Sequence, residues 1–159
     1  MFTFIIHSNQ FKMKIARELS NGILIFAGIA IYFLVIEFFG LSHILYLRMF
    51  NALIVFYGVN RTLKSNFKEE KLGYVTNLLS AGITAITGVL LSVVGLLCYI
   101  YLRGGDSYID TLSEDFLFGG KPSANQYCIG VLFEGLASAV IVVFITMQLW
   151  RNKTSSEDS

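Results

Sequence analysis

Four runs of this chain, residues 22–40, 42–60, 75–102 and 126–150, stay apolar for long enough to cross a bilayer, and a chain built that way has few folds open to it. A helical span takes ~20 predominantly apolar residues, because ~30 Å of hydrocarbon is crossed at 1.5 Å per residue. Only 14% of the residues are charged, against roughly 25% in soluble domains, which disfavours a soluble protein. All the charged residues except Glu37, Arg48 and Glu134 fall outside the four runs. The reading is an all-α chain: a four-helix transmembrane bundle forming a single integral membrane domain over residues 1–159, with a short external interfacial helix between spans three and four.

Basic residues are distributed asymmetrically around the runs. Lys12, Lys14 and Arg17 precede the first, Arg61, Lys64, Lys68 and Lys71 lie between the second and third, and Arg151 and Lys153 follow the fourth. The other side carries Arg103 and Lys121 among Asp106, Asp110, Glu114 and Asp115. By the positive-inside rule both termini are expected in the cytoplasm of a multi-pass protein, here assigned to a bacterial inner membrane. No basic stripe exists away from the membrane flanks, so nucleic acid is not an expected partner. Residues 1–6 lack the leading positive charge of a signal peptide, and Met13 before Lys14 is as natural a start as Met1.

Spans one and two are joined so closely that they should be antiparallel neighbours. Span three would reach ~46 Å if helical throughout, so it must tilt or project from one face. It also carries Ser80, Thr84, Gly88 and Ser92 at four-residue intervals, with Gly95 near the same line. Small residues at that spacing let another helix approach closely. Gly135 and Ala139 offer a counterpart on span four; the alternatives are a homodimer seam or a contact with another protein. In the external segment 103–125, Asp106 or Ser107 would cap a helix with Tyr108, Ile109, Leu112 and Phe116 on one side and Asp110, Glu114 and Asp115 on the other. Gly119, Gly120 and Pro122 would end it. Such a helix would lie in the interface or form a lid over the bundle.

A charge inside a span costs about 2.5–3.5 kcal/mol on insertion scales, which makes Glu37, Arg48 and Glu134 candidates for function. The topology sets them ~5–12 Å below the external face, where Glu37 and Arg48 could bridge the first hairpin and Glu134 could approach from another helix. Asn51 shares a face with Arg48, and Ser138 lies one turn beyond Glu134. The polar layer Glu37, Arg48, Asn51, Glu134 and Ser138 is either a latch between helices or a cavity for an ion, a proton or a polar headgroup. His43 marks the external turn and reads as interfacial. Cys98 and Cys128 read as small apolar residues, with a disulfide as the alternative. Tyr99, Tyr101, Tyr127 and Trp150 fit interfacial belts.

Several chemistries lack their residues. There is no CxxC, no HExxH, no clustered metal-ligand set, no GxSxG elbow and no phosphate-binding glycine loop, so no cofactor, metal or catalysis is expected. The tetrad Arg48-Met-Phe-Asn51 is similar to the Arg/Asn polar set of small four-helix glutathione-linked membrane enzymes, but the accompanying Glu and His are missing. The basic start and Gly-containing first span (14–28), the basic link (61–71) followed by Gly73 and Tyr74, and the acidic aromatic stretch (108–118) together resemble a bacterial family of small four-span membrane proteins, domain-of-unknown-function family 4199. The resemblance covers most of the chain and implies the same layout, with no catalytic residues to carry over. The expected role is a non-catalytic subunit, scaffold or assembly partner, bound by the bilayer and by another membrane protein or a second copy. The alternative is a small transporter or ion- or proton-conducting protein using Glu37, Arg48 and Glu134.

Overall fold

The computed structural model describes residues 2–42, 44–69, 73–112 and 122–154. All their regular structure is helical: α1 (Phe2–Phe38), α2 (Leu45–Arg48), α3 (Asn51–Lys68), α4 (Tyr74–Leu102), α5 (Asp106–Leu112) and α6 (Ala124–Thr154). Three stretches, Ile15–Phe38 within α1, Tyr74–Leu102 and Ala124–Arg151, are long and apolar enough to cross a membrane. The chain is therefore a helical membrane protein with transmembrane helices.

Residues 42–60 do not form one regular helix, contrary to expectation. Between Ile44 and Leu53 the amides bond three residues back, as in Leu47 N to Ile44 O and Phe50 N to Leu47 O. That tighter winding breaks the α geometry after Arg48 while keeping Met49 and Phe50 in right-handed conformations. Past residue 60, α3 absorbs most of the expected basic link, with Arg61, Lys64 and Lys68 on its exposed side. α1 likewise begins well before residue 22.

Helix ends follow local chemistry. At the end of α1, Gly40 takes φ +67, Gly40 N bonds Glu37 O at 2.9 Å and Leu41 N bonds Ile36 O at 2.9 Å. Those paired bonds require a left-handed residue, which glycine adopts without a Cβ penalty. Gly104, at φ +122, ends α4 in the same way, with Gly105 N on Ile100 O at 2.9 Å. At the start of α6, Ser123 and Gln126 form a reciprocal capping box, and Asp106 Oδ1 accepts the Ala124 amide at 2.7 Å. Asp106 thus caps α6.

Side-chain pairs set the directions of the helices. Gly22 lies against Thr84 and Thr87, and Phe33 meets Tyr99, so α1 and α4 run parallel. Arg17 bonds Asn66, Asn21 bonds Thr62, and Gly28 faces Ile54, so α3 runs against α1. Val89 against Gly135 and Tyr101 against Asn125 set α6 antiparallel to α4. α4 packs on α1, α3 and α6, and α3 also touches both α1 and α6. One core runs along these helices through Ile25, Val59, Leu63, Ala85, Val89 and Val143.

Ile25 occupies the closest of these approaches. A Cβ on Gly58 would lie 2.3 Å from Ile25 Cγ1, and one on Gly88 would lie 2.6 Å from Ile25 Cγ2. The line of small residues on α4 therefore faces α1 and α3: Ser80 and Thr84 are fully buried, and Gly88 receives Ile25. Gly135 and Ala139 were expected to meet that line. Gly135 instead meets Val89, about 100° further round α4 than Gly88, and Ala139 is buried in the main core.

Candidate functional site: a polar-edged cavity between the helices

A cavity of about 300 Å³ opens between α1, α2, α3, α4 and α6. Its walls are mostly apolar, with Phe26, Ile29, Val55, Val93 and Leu96 among them. Its polar edge includes Arg48, Asn51, Ser92, Tyr127, Glu134 and Ser138. Four of the five residues assigned to a polar layer from sequence thus share one space, together with Ser92 and Gly135 from the packing set. Ser92 commits its hydroxyl to Gly88 O at 2.8 Å. Asn51 Oδ1 is buried and accepts no hydrogen bond.

Arg48 is held by Tyr127. Its Nη2 donates to the Tyr127 hydroxyl at 2.8 Å, and its guanidinium carbon lies 5.2 Å from the ring centroid. Such stacking orients a guanidinium without neutralising it. Tyr127, assigned to an interfacial belt from sequence, is 4% exposed and faces inward. Trp150 also has a specific partner: its Nε1 donates to Asn60 Oδ1 at 2.8 Å, and its ring stacks on Phe67.

The expected Glu37–Arg48 bridge does not form. Tyr32 donates its hydroxyl to Leu47 O at 2.7 Å, which fixes the face of α1 turned to α2. Glu37 lies five residues on, about 140° round the helix. It accepts a hydrogen bond from the Tyr108 hydroxyl and lies 3.6 Å from Arg103 Nη2. Among the described residues Glu134 joins neither Glu37 nor Arg48 in an ion pair, so the trio divides into a cavity pair and a separate latch.

The latch holds α5 over one end of the helices. Ile109 and Leu112 are buried against Ile100, Tyr127 and Cys128, while Asp110 is exposed. Arg103 stacks near the Tyr99 and Tyr108 rings at 5.7 Å from each. Burial first, and then the hydrogen bond to Glu37, push the Tyr108 phenol well above its usual range, so it remains a donor. Replacing Tyr108 with Phe should cost about 1.5–3 kcal/mol, the value of a hydrogen bond to a charged group. Hydrogen exchange would report it as faster opening of α5 amides with α4 unchanged; equal protection in both proteins would exclude the latch. Residues 113–121, with Glu114, Asp115, Phe116, Gly119 and Gly120, lie outside the described residues, as does His43. Cys128 is buried, Cys98 is exposed, and both thiols are free.

A second polar layer crosses the other end of the molecule, where sequence reasoning placed no site. Asn21 Nδ2 donates to Thr62 Oγ1 at 2.9 Å, the Thr62 and Thr84 hydroxyls are 3.0 Å apart, and Asn66 Nδ2 donates to Asn77 Oδ1 at 3.0 Å. Arg17 bridges this layer to Asn66 and Glu69. Glu18 is buried within it, at 1% exposure. The available signal was the spacing Glu18–Asn21–Ile25, one helix stripe that continues the core face into the polar flank.

Comparison with protein-family models, curated proteins and solved structures gives no match.

Proposed function

We propose that this chain is a four-span membrane protein that binds a small amphipathic molecule in the cavity between its helices, without transforming it. The observation that carries the reading is the shared space of Arg48, Asn51 and Glu134, opposite charges that do not pair, on the edge of a largely apolar cavity of about 300 Å³. A volume of that order, mostly apolar with a few convergent polar groups, is typical of small-molecule sites. A ligand with an apolar body and one charged end would place the body among Phe26, Ile29 and Leu96 and its end against Arg48 or Glu134.

Support for a fourth crossing comes from the right-handed path Leu45–Lys68, ~36 Å long at 1.5 Å per residue, whose last turns carry the exposed Arg61, Lys64 and Lys68. With both ends of the chain on the basic side, the cavity would lie in the external half of a bacterial inner membrane. The rival scaffold role was motivated by the small-residue line on α4. That line is occupied by α1 of the same chain, so it no longer points to an outside partner.

Thermal unfolding of the full chain in mild detergent, with octanoate and octylamine titrated separately, tests the proposal. Saturable stabilisation by either compound is the expected result. No shift with either, in a protein shown to be folded, would remove the binding role.

A further inference from the structure

Glu18 lies within the apolar stretch Ile15–Phe38 and is 1% exposed, yet its Oε1 accepts no hydrogen bond. No ion pair joins it to any described residue. A carboxylate buried without a partner is strongly unfavourable, and inside a membrane protein it marks a site by default. Helix register supplies its surroundings. Arg17 bonds Asn66 and Asn21 bonds Thr62, so Glu18 is bracketed by these two positions of α3. Gly22 approaches the Thr84 carbonyl, and one turn earlier on both parallel helices the same register sets Glu18 level with Ser80. The Ser80 Oγ is fully buried and also lacks a partner.

Most side-chain donors of this layer have partners, while Arg17 Nε is buried and donates to no acceptor. Asn21 and Asn66 donate to Thr62 and Asn77, Asn77 Nδ2 donates to Gly73 O, and Thr84 donates to Ser80 O. At the level of Glu18, α3 and α4 bring the hydroxyl and amide oxygens of Thr62, Asn66, Ser80 and Thr84. Among the described residues, the charged side chains that pair at this layer are Arg17, on the same helix, and Glu69, at the end of α3. The inward faces add Thr62 and Asn66 from α3 and Asn77, Ser80 and Thr84 from α4, none of them titratable. α6 contributes the buried Thr146, whose hydroxyl is spent on Val142 O.

We propose that Glu18 and Ser80 form a binding site for a small monovalent cation, distinct from the cavity at the other end of α4. One carboxylate among hydroxyl and amide oxygens offers one negative charge, which a monovalent ion neutralises and a divalent ion would overcompensate. Among the described residues no three His, Cys, Asp or Glu side chains cluster as a multivalent metal would require. Sodium ion and proton share this chemistry, and unlike the cavity ligand neither needs an apolar compartment.

The test is thermal unfolding of the full chain in mild detergent, in choline chloride against sodium chloride, at alkaline and mildly acidic pH. Saturable stabilisation by sodium at alkaline pH identifies sodium as the ion. Stabilisation by acid alone identifies the proton. Either response should vanish in Glu18→Gln, which keeps the shape and removes the charge. Should that variant fail to fold, Ser80→Ala keeps the carboxylate and is expected to raise the half-saturating sodium or proton concentration roughly three- to tenfold. The proposal is overturned if neither sodium nor acid shifts the transition, if Glu18→Gln responds like the wild type, or if Ser80→Ala, tested in its place, leaves the half-saturation unchanged.

Discussion

Replacing Gly88 with Leu should abolish the folded state, and Gly88→Ala should lower its stability by about 1–3 kcal/mol, the range for overpacking a filled core. A Cβ at Gly88 would sit 2.6 Å from Ile25 Cγ2 and 2.7 Å from Ile25 Cβ, where no real pair of carbons remains. Ile25 cannot retreat, because its other side fills the place of a side chain at Gly58, with Cγ1 and Cδ1 2.3 and 2.6 Å from that position's Cβ. The helices must then separate, and in lipid there is little hydrophobic drive to bring them back, since packing itself supplies the association. Ile25→Ala should offset part of the loss in the double variant, with a coupling of about 0.5–3 kcal/mol. Unfolding in detergent by heat or denaturant reads all three proteins; additive effects of Ile25→Ala and Gly88→Ala would show that the two residues do not share this contact.

Arg48→Gln should eliminate stabilisation by octanoate, and Glu134→Gln should eliminate stabilisation by octylamine. A hydrogen bond to a charged group contributes about 1.5–3 kcal/mol, so each affinity should fall roughly ten- to a hundredfold. The two residues make opposite predictions because each charge serves only one of the probes. Tyr127→Phe should cost less, roughly two- to tenfold for octanoate, since the charge that meets the probe is kept, the ring remains under the guanidinium, and only the bond that orients Arg48 is lost. If both charge-removing variants bind both probes as the wild type does, the polar edge of the cavity has no part in binding. Glu37→Gln is the internal control: Glu37 bonds Tyr108 outside the cavity lining, so it should change the opening of α5 and leave both probe affinities unchanged.

Local features were legible in the sequence because they depend on a few neighbouring residues. Apolar length identified the stretches now at Ile15–Phe38, Tyr74–Leu102 and Ala124–Arg151. Helical spacing grouped Asn51 with Arg48 and Ser138 with Glu134, and all four line the same cavity. The partners of these residues were not legible. Arg48 was assigned to Glu37 on depth alone, whereas rotation about α1, set by the Tyr32 bond to Leu47 O, turns Glu37 away. Tyr127 was assigned to a belt because aromatic residues near a span end usually serve there, yet it faces inward beneath Arg48.

The sequence by itself determined a helical chain destined for lipid, with small residues on α4 available for close contact. Tertiary structure alone decided that Ile25 fills the gap left by Gly58 and Gly88, that the charged trio divides, and that Glu18, a flank residue by its neighbours, is sealed between helices. The physical reason is that length and spacing act within one helix, whereas burial and pairing depend on the rotation and register of helices far apart along the chain. A change of about 100° in rotation exchanges one residue for the next on a packed face.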